Sequence, residues 1–238
     1  MGVISTFQRR AIGVLTAATV LAGCSGGSDQ INSQNARFLE QFQQARDVIQ
    51  NRRSPPELPK VTRALLDGLT TPSLEVRVEA RDGLAYVIPL YSRRVPGLGT
   101  VDTWTSVDGS QFSFRSGVLL ALRGAGDDMT SSNRAGSIAF VTGRSSGEEW
   151  PMRLDIQTEA DGVQRVDFRC VGSSDGVQSL EIVELTYRVE SLNEICTDDA
   201  GRKIINHYWV DVGDRTVWQA RQFAGAKIGY IDTRILKK

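Results

Sequence analysis

From Leu74 to the C-terminus, apolar residues recur at every second position. In LEVRVEA, residues 74–80, Leu74, Val76, Val78 and Ala80 alternate with Glu75, Arg77 and Glu79, the pattern of a strand with one wet face. A second run covers Leu84 to Ser92 after Asp82-Gly83, and Asp-Gly returns at 108–109, 161–162 and 175–176, each time between strand-like runs. Gly213-Asp214 serves likewise near the end. Such dipeptides tolerate positive φ and suit tight hairpin turns. The runs between them include Met152, Leu154 and Ile156 set against Val166, Phe168 and Cys170, then Leu180 to Val189, then Ile204, Asn206, Tyr208 and Val210, and finally Val217 to Phe223 and Lys227 to Leu236. No strand–helix alternation is visible. The pattern predicts a mainly β domain over residues 70–238, with about ten antiparallel strands in a sandwich or partly open barrel.

Upstream the period changes. Phe38, Phe42, Ala45 and Ile49 follow one another at spacings of four, three and four, with Leu39 and Val48 beside the stripe. This is an amphipathic helix, ended at Ser54-Pro55-Pro56 because proline offers no amide and clashes with the preceding turn. A shorter helix is expected over Lys60 to Leu69, with Val61, Ala64 and Leu65 inward. Residues 37–69 therefore form an N-terminal helical segment packed on or across the β domain. Residues 25–36, SGGSDQINSQNA, are polar and lack apolar periodicity, so residues 24–36 read as a flexible tether.

The first residues carry an address. Arg9 and Arg10 precede thirteen apolar or small residues, Ala11 to Gly23, where a membrane-spanning helix needs roughly 20. Residues 1–23 thus read as a cleaved signal. Leu21-Ala22-Gly23-Cys24 resembles the bacterial lipobox, in which the cysteine is lipidated and becomes the new N-terminus; the plainer alternative is a secreted protein cut near Ala22. Residue 25 is serine and not the aspartate that tends to retain lipoproteins in the inner membrane, which predicts a lipid anchor on Cys24 in the outer membrane of a Gram-negative bacterium, facing the periplasm.

Removing residues 1–23 takes away two arginines and no acid, leaving 26 basic against 28 acidic residues in 215. A nucleic-acid binder would show a basic excess, and the charges are interspersed with no patch-forming run. Two further cysteines, Cys170 and Cys196, would meet an oxidising compartment, and their pairing is the simple reading. Closing a loop of about 25 residues contributes on the order of 3 kcal/mol in the chain-entropy treatment. A metal or redox pair would want a CxxC spacing or nearby histidines, and neither is present.

Candidate chemistry is sparse. His207 is the only histidine, so any Ser-His-Asp or Cys-His mechanism must use it, yet INHYWV contains no nucleophile motif. RGAGDDM, residues 123–129, could let Gly124 and Gly126 amides cradle an anion, but it lacks the Lys-Ser/Thr of a P-loop, and Asp127 and Asp128 would repel phosphate. A structural turn is the plain reading. Glu148-Glu149 point to opposite faces if extended, a poor arrangement for glycoside cleavage. Trp104, Trp150, Trp209 and Trp218, with Tyr86, Tyr91 and Tyr208, could stack on sugars, although aromatics in a β domain are more often core. Tyr208 and Trp209 must face opposite sides. The candidate ligand contacts are Trp104, Tyr208, Trp209, Trp218, Arg123 and Asp127; no catalytic set, metal site or cofactor is expected.

Three segments carry a family resemblance: VDTWTSVDGSQFSFRSGVLLALRGAGDDM at 101–129, Cys170 with EIC at 194–196, and NHYWVDVGDRTVWQARQFAGAKIGYIDTRIL at 206–236. Together they resemble the YjbF/GfcB family of lipoproteins, through Trp104, Asp108, Gly109, Gly117, Leu119, Gly124, Gly126, Cys170, Cys196, Asn206, Tyr208, Trp209, Val210, Trp218, Gln222 and Gly229. The chain departs from the pattern at Ala125, where leucine is usual, and at Ala226, where proline is common. The resemblance implies a lipoprotein needed for group 4 capsule or exopolysaccharide production or export, and it implies no catalytic residue. The expected role is a non-enzymatic accessory that binds glycan or a protein of the export machinery. Two rivals stand beside it: a carrier of a lipid or lipid-linked sugar in a barrel cavity, and a periplasmic glycan hydrolase.

Overall fold

A computed structural model of the chain describes residues 61–81, 83–97, 99–126, 128–158 and 162–238. The signal segment, Cys24, the tether, the helix read over 37–53 and Asp127 lie outside the described residues. Among the described residues twelve strands, two more than the alternation predicts, form one antiparallel sheet in the order β5-β4-β3-β2-β1-β12-β11-β10-β9-β8-β7-β6. They are β1 Ser73–Val78, β2 Gly83–Val95, β3 Gly99–Thr105, β4 Gln111–Arg115, β5 Val118–Arg123, β6 Met129–Asn133, β7 Trp150–Gln157, β8 Val163–Ile182, β9 Leu185–Asp198, β10 Lys203–Asp211, β11 Val217–Gly225 and β12 Gly229–Lys237. The two outermost strands, β5 and β6, come side by side, and the Ser132 hydroxyl on β6 donates to the Leu120 carbonyl on β5 at 2.9 Å. The sheet is therefore a nearly closed barrel.

Period-two alternation sorts each strand into an inner and an outer face. Leu74, Val76 and Val78 of β1 point in beside Ile231 and Ala220, and all join one central core. The edge strand β5 leans across this interior toward β11. There Gln222 accepts from the Leu119 amide and donates to the Gly117 carbonyl, each at 2.9 Å. Residue 117 must be glycine: its φ is +77°, and a Cβ would sit 2.4 Å from the Val217 Cβ.

One element escaped the alternation. Two helices are described, α1 Arg63–Asp67 and α2 Ala135–Val141. The second enters the barrel end where β7 begins and buries Ser137, Ile138, Phe140 and Val141. Gly136 lets it come close, because a Cβ there would lie 2.2 Å from the Trp150 indole. Seven residues containing Gly, Ser, Ile and Val have weak intrinsic helicity, so tertiary burial selects this helix.

The β8–β9 hairpin corrects two further readings. Asp175-Gly176 is no turn; it lies inside the 20-residue β8 as a bulge, where Ser174 pairs with Leu192 and Gly176 with Ser191. The turn falls instead at Val183-Glu184, both with positive φ, within the segment read as a single strand from Leu180 to Val189. A bulge bends its strand, and the hairpin tip packs with α1 in a second apolar cluster containing Leu66, Ile182, Val189, Trp218 and Leu236. Helix α1 is shorter than expected and buries Leu66, with Ala64 exposed. Arg63 holds the tip by donating to the Ile182 and Val183 carbonyls at 3.2 and 3.0 Å. No described helix is long and apolar enough to cross a membrane.

Candidate functional site

At the barrel end where β8, β10 and β12 begin, the wall opens. β10 pairs with β9 from Lys203 onward, and β11 pairs with β12 as far as Gly225. The β10–β11 ladder, however, runs only from His207↔Arg221 to Val210↔Val217. Residues 203–206 and 222–225 are thus splayed, and side chains replace the missing ladder bonds. The Phe223 amide donates to Asn206 Oδ1 at 2.7 Å, Arg134 donates to the Phe223 carbonyl, and the Ile205 amide donates to the Tyr230 hydroxyl at 3.1 Å. Such substitution is what backbone groups in a partly dry wall require.

A cavity of about 420 Å³ occupies this splay. Ile156, Val166, Phe168, Ile204, Phe223 and Ile228 form its walls, while Asp198, Arg202, Lys203 and Lys227 stand among its lining residues. Phe168 and Phe223 meet edge to face with ring centroids 6.3 Å apart. Asp198 and Arg202 pair at 2.6 Å. Lys203 is exposed and has no ion-pair partner among the described residues.

Deeper in the barrel lies a polar cluster around Glu194, which is fully buried. One carboxylate oxygen accepts from the Ser137 hydroxyl and, at 3.0 Å, from the Trp150 indole N–H. The other accepts from the Asn206 amide at 2.8 Å and the Tyr208 hydroxyl at 3.0 Å. Burial pushes the Tyr208 phenol well above its ordinary pKa, the Glu194 charge adds to this, and the nearby Arg134 opposes it. Arg134 is itself buried, and its Nε and Nη1 carry no hydrogen bond. Cys170 and Cys196 form a disulfide between directly opposed positions of β8 and β9. Their sulfurs lie within 4.8 Å of a Glu194 oxygen, a grouping that would suit a metal were both sulfurs not committed to the bridge.

The residues singled out from the sequence are dispersed. Trp104 lies on β3 against the central core. Tyr208 faces the interior and Trp209 the exterior, where it stacks on His207 with centroids 6.2 Å apart. Trp218 is buried outside the barrel, 3.8 Å from the Tyr187 ring, with its N–H donated to Asp211. Arg123 is exposed at the end of β5. Trp209 and Trp218 share the outer cluster with α1, and none of these residues lines the cavity. In RGAGDDM the Gly124 amide donates to Asp128 at 2.8 Å, which is turn chemistry. Glu148 is held by Ser145 and Ser146, whereas Glu149 pairs with Arg169 at 3.3 Å, so the two acids have separate partners.

Sequence reasoning passed over Glu194, Asn206 as a polar group, and Arg134. The signal existed for two of them. Leu192, Glu194 and Cys196 share one phase of β9, and Ile204, Asn206, Tyr208 and Val210 share one phase of β10. A charge on an apolar phase announces a buried, partnered carboxylate.

A family model described as "Group 4 capsule polysaccharide lipoprotein gfcB, YjbF" matches residues 41–236. Among solved structures, the hypothetical lipoprotein YmcC from Escherichia coli (K12) superposes with a TM-score of 0.65 at 16% identity, covering 89% of this chain and 97% of the other. That likeness concerns the fold. No curated protein sequence matches the chain.

Proposed function

Because the chain belongs to the YjbF family of group 4 capsule polysaccharide lipoproteins, we propose that it is a non-catalytic accessory of capsule or exopolysaccharide production, anchored through lipidated Cys24 at the periplasmic face of the outer membrane. Its end cavity receives the apolar part of an amphiphile such as a lipid or lipid-linked sugar. The observation that carries this reading is the cavity of about 420 Å³ with six apolar side chains in its walls. That volume falls within the roughly 300–1,000 Å³ typical of ligand sites, and burying a hydrocarbon segment there gains about 25 cal/mol per Å². A second reading, a grip on glycan or an export protein, draws on Trp209 and His207, which stack on the outside of the barrel.

Replacing Cys24 with serine is expected to move the protein from the membrane fraction to the soluble periplasm, because multiple chains hold a lipoprotein where one alone binds reversibly. Fractionation and immunoblotting read this directly; persistence in the membrane fraction would refute the anchor. The soluble C24S chain should then bind the apolar dye N-phenyl-1-naphthylamine saturably. A deletion strain with unaltered polysaccharide output would overturn the pathway role, and absence of dye binding would turn attention to the outer aromatic surface.

A further inference from the structure

We infer that the split between β10 and β11 is the mouth of a binding site for an anionic, phosphate-bearing amphiphile, with one hydrocarbon chain in the cavity and the headgroup on Lys203 and Arg202. The inference rests on the reading of the cavity as an amphiphile site and adds ligand charge and route of entry. Three lines converge on it. First, the wall is open where the cavity lies, since the β10–β11 ladder does not extend beyond His207↔Arg221 toward this end, and the residues bordering the gap, Ile204 and Phe223, are cavity walls. A chain can therefore enter from the side, between strands. Second, the cavity's lining places Lys203 beside the Arg202–Asp198 ion pair, so a cation without a described partner stands at its rim. Asp198 is already engaged by Arg202 and by the Ala200 and Arg202 amides at 3.0 and 2.9 Å, so it offers little repulsion to an incoming anion. Lys203 stands exposed on the β10 side of the gap with its charge uncommitted among the described residues. Third, the walls are apolar and the rim is charged, the division of an amphiphile itself. A volume of about 420 Å³ suits a single chain segment better than the paired chains of a phospholipid.

The gap's ties are light enough to yield. The Tyr230 hydroxyl is the one described tie from β12 to the β10 backbone across it, and a single neutral hydrogen bond contributes little net stability because water competes for both partners. The Asn206 side chain ties β10 to β11 at the inner end of the gap by accepting from the Phe223 amide, and Arg134 holds the Phe223 carbonyl, so the part of β10 that can give way is the stretch before Asn206, residues 203–205.

The test uses the full mature chain carrying C24S, with farnesyl phosphate and farnesol as probes that share a chain and differ in the head. Displacement of N-phenyl-1-naphthylamine is measured at low and at physiological ionic strength. Farnesyl phosphate is expected to bind about tenfold more tightly than farnesol, as charge-assisted contacts would give, with the gap narrowing as salt screens it. Lys203→Glu, a surface change, should erase the preference and leave farnesol binding intact. Ala226→Trp, at an exposed lining position, should block both probes while circular dichroism stays native. Equal affinity for the two probes, unmoved by Lys203→Glu, would overturn the anionic assignment and leave the amphiphile reading standing. Binding of neither probe would overturn both, and binding unaffected by Ala226→Trp would overturn the placement of the mouth.

Discussion

Replacing Glu194 by alanine is expected to destabilise the C24S chain by on the order of 3–5 kcal/mol, the range for removing one partner from a buried charged cluster. The carboxylate is the common acceptor for Ser137, Trp150, Asn206 and Tyr208, which lie on α2, β7 and β10. Its loss orphans four donors at once, and each unsatisfied buried group costs about 1–3 kcal/mol before relaxation. It also removes a buried carboxylate while the buried guanidinium of Arg134, two of whose nitrogens have no hydrogen bond, stays in place. Tyr208→Phe makes the contrast. It removes one donor and leaves the carboxylate three others, so the expected cost is about 1 kcal/mol. Urea unfolding followed by tryptophan fluorescence reads both variants, and a Glu194→Ala loss no larger than that of Tyr208→Phe would refute the common-acceptor account. The cluster also bears on the cavity: Asn206 and Arg134 hold the Phe223 backbone, so amphiphile binding should weaken in Glu194→Ala even where the chain remains folded.

How much of this was legible in the residues differs by scale. The inward phase of each strand was: Met152 pairs with Phe168 and Leu154 with Val166, apolar against apolar, because a one-residue slip would turn every apolar side chain outward; the exact register was not, since Cys170 pairs with Trp150 and Ile156 with Gln164. The mainly β class followed from the same periodicity. Turn chemistry misled at Asp175-Gly176, since a dipeptide that tolerates positive φ serves a bulge as readily as a hairpin. The true turn, Val183-Glu184, carries residues that avoid that conformation, and only the packing of Ile182 and Val189 against α1 accounts for its position. The cavity was hidden for a different reason. It arises where β10 and β11 fail to pair, and hydrophobic alternation on each strand is blind to the distance between them. The aromatics, being the largest apolar side chains, drew attention first, but burial in two separate clusters claimed Tyr208 and Trp218. The polar residues that shape the site were visible only as exceptions to an apolar phase.

Removing the disulfide, by Cys170→Ala with Cys196→Ala, is expected to lower stability by about 3 kcal/mol and to leave the fold intact. Both halves of that expectation come from position. The loop closed has a sequence separation of 26, for which the chain-entropy relation gives on the order of 3 kcal/mol, acting through the unfolded state. In the folded state Cys170 and Cys196 are already opposed partners in a β8–β9 ladder that continues from Phe168↔Asp198 to Ile182↔Leu185. The ladder therefore holds the register that the bridge spans, and far-ultraviolet circular dichroism should not change. Because both cysteines are fully buried, a mild reductant should reach the bridge only through unfolding, so the native chain should keep it in conditions that reduce an exposed disulfide. Thiol trapping with and without urea measures this; rapid reduction of the native chain would refute it. The bridge and Glu194 lie within 4.8 Å of each other, so their effects should not add. A triple variant is expected to lose less than the sum, since space released by the sulfurs lets water reach the donors that Glu194 leaves behind. The same proximity bears on the site, because Phe168 and Ile204, the cavity walls beside the bridge, sit on the strands adjoining it. Loss of the bridge should therefore loosen amphiphile binding severalfold at temperatures where the chain is still folded, and unchanged binding there would show that the ladder alone shapes the cavity.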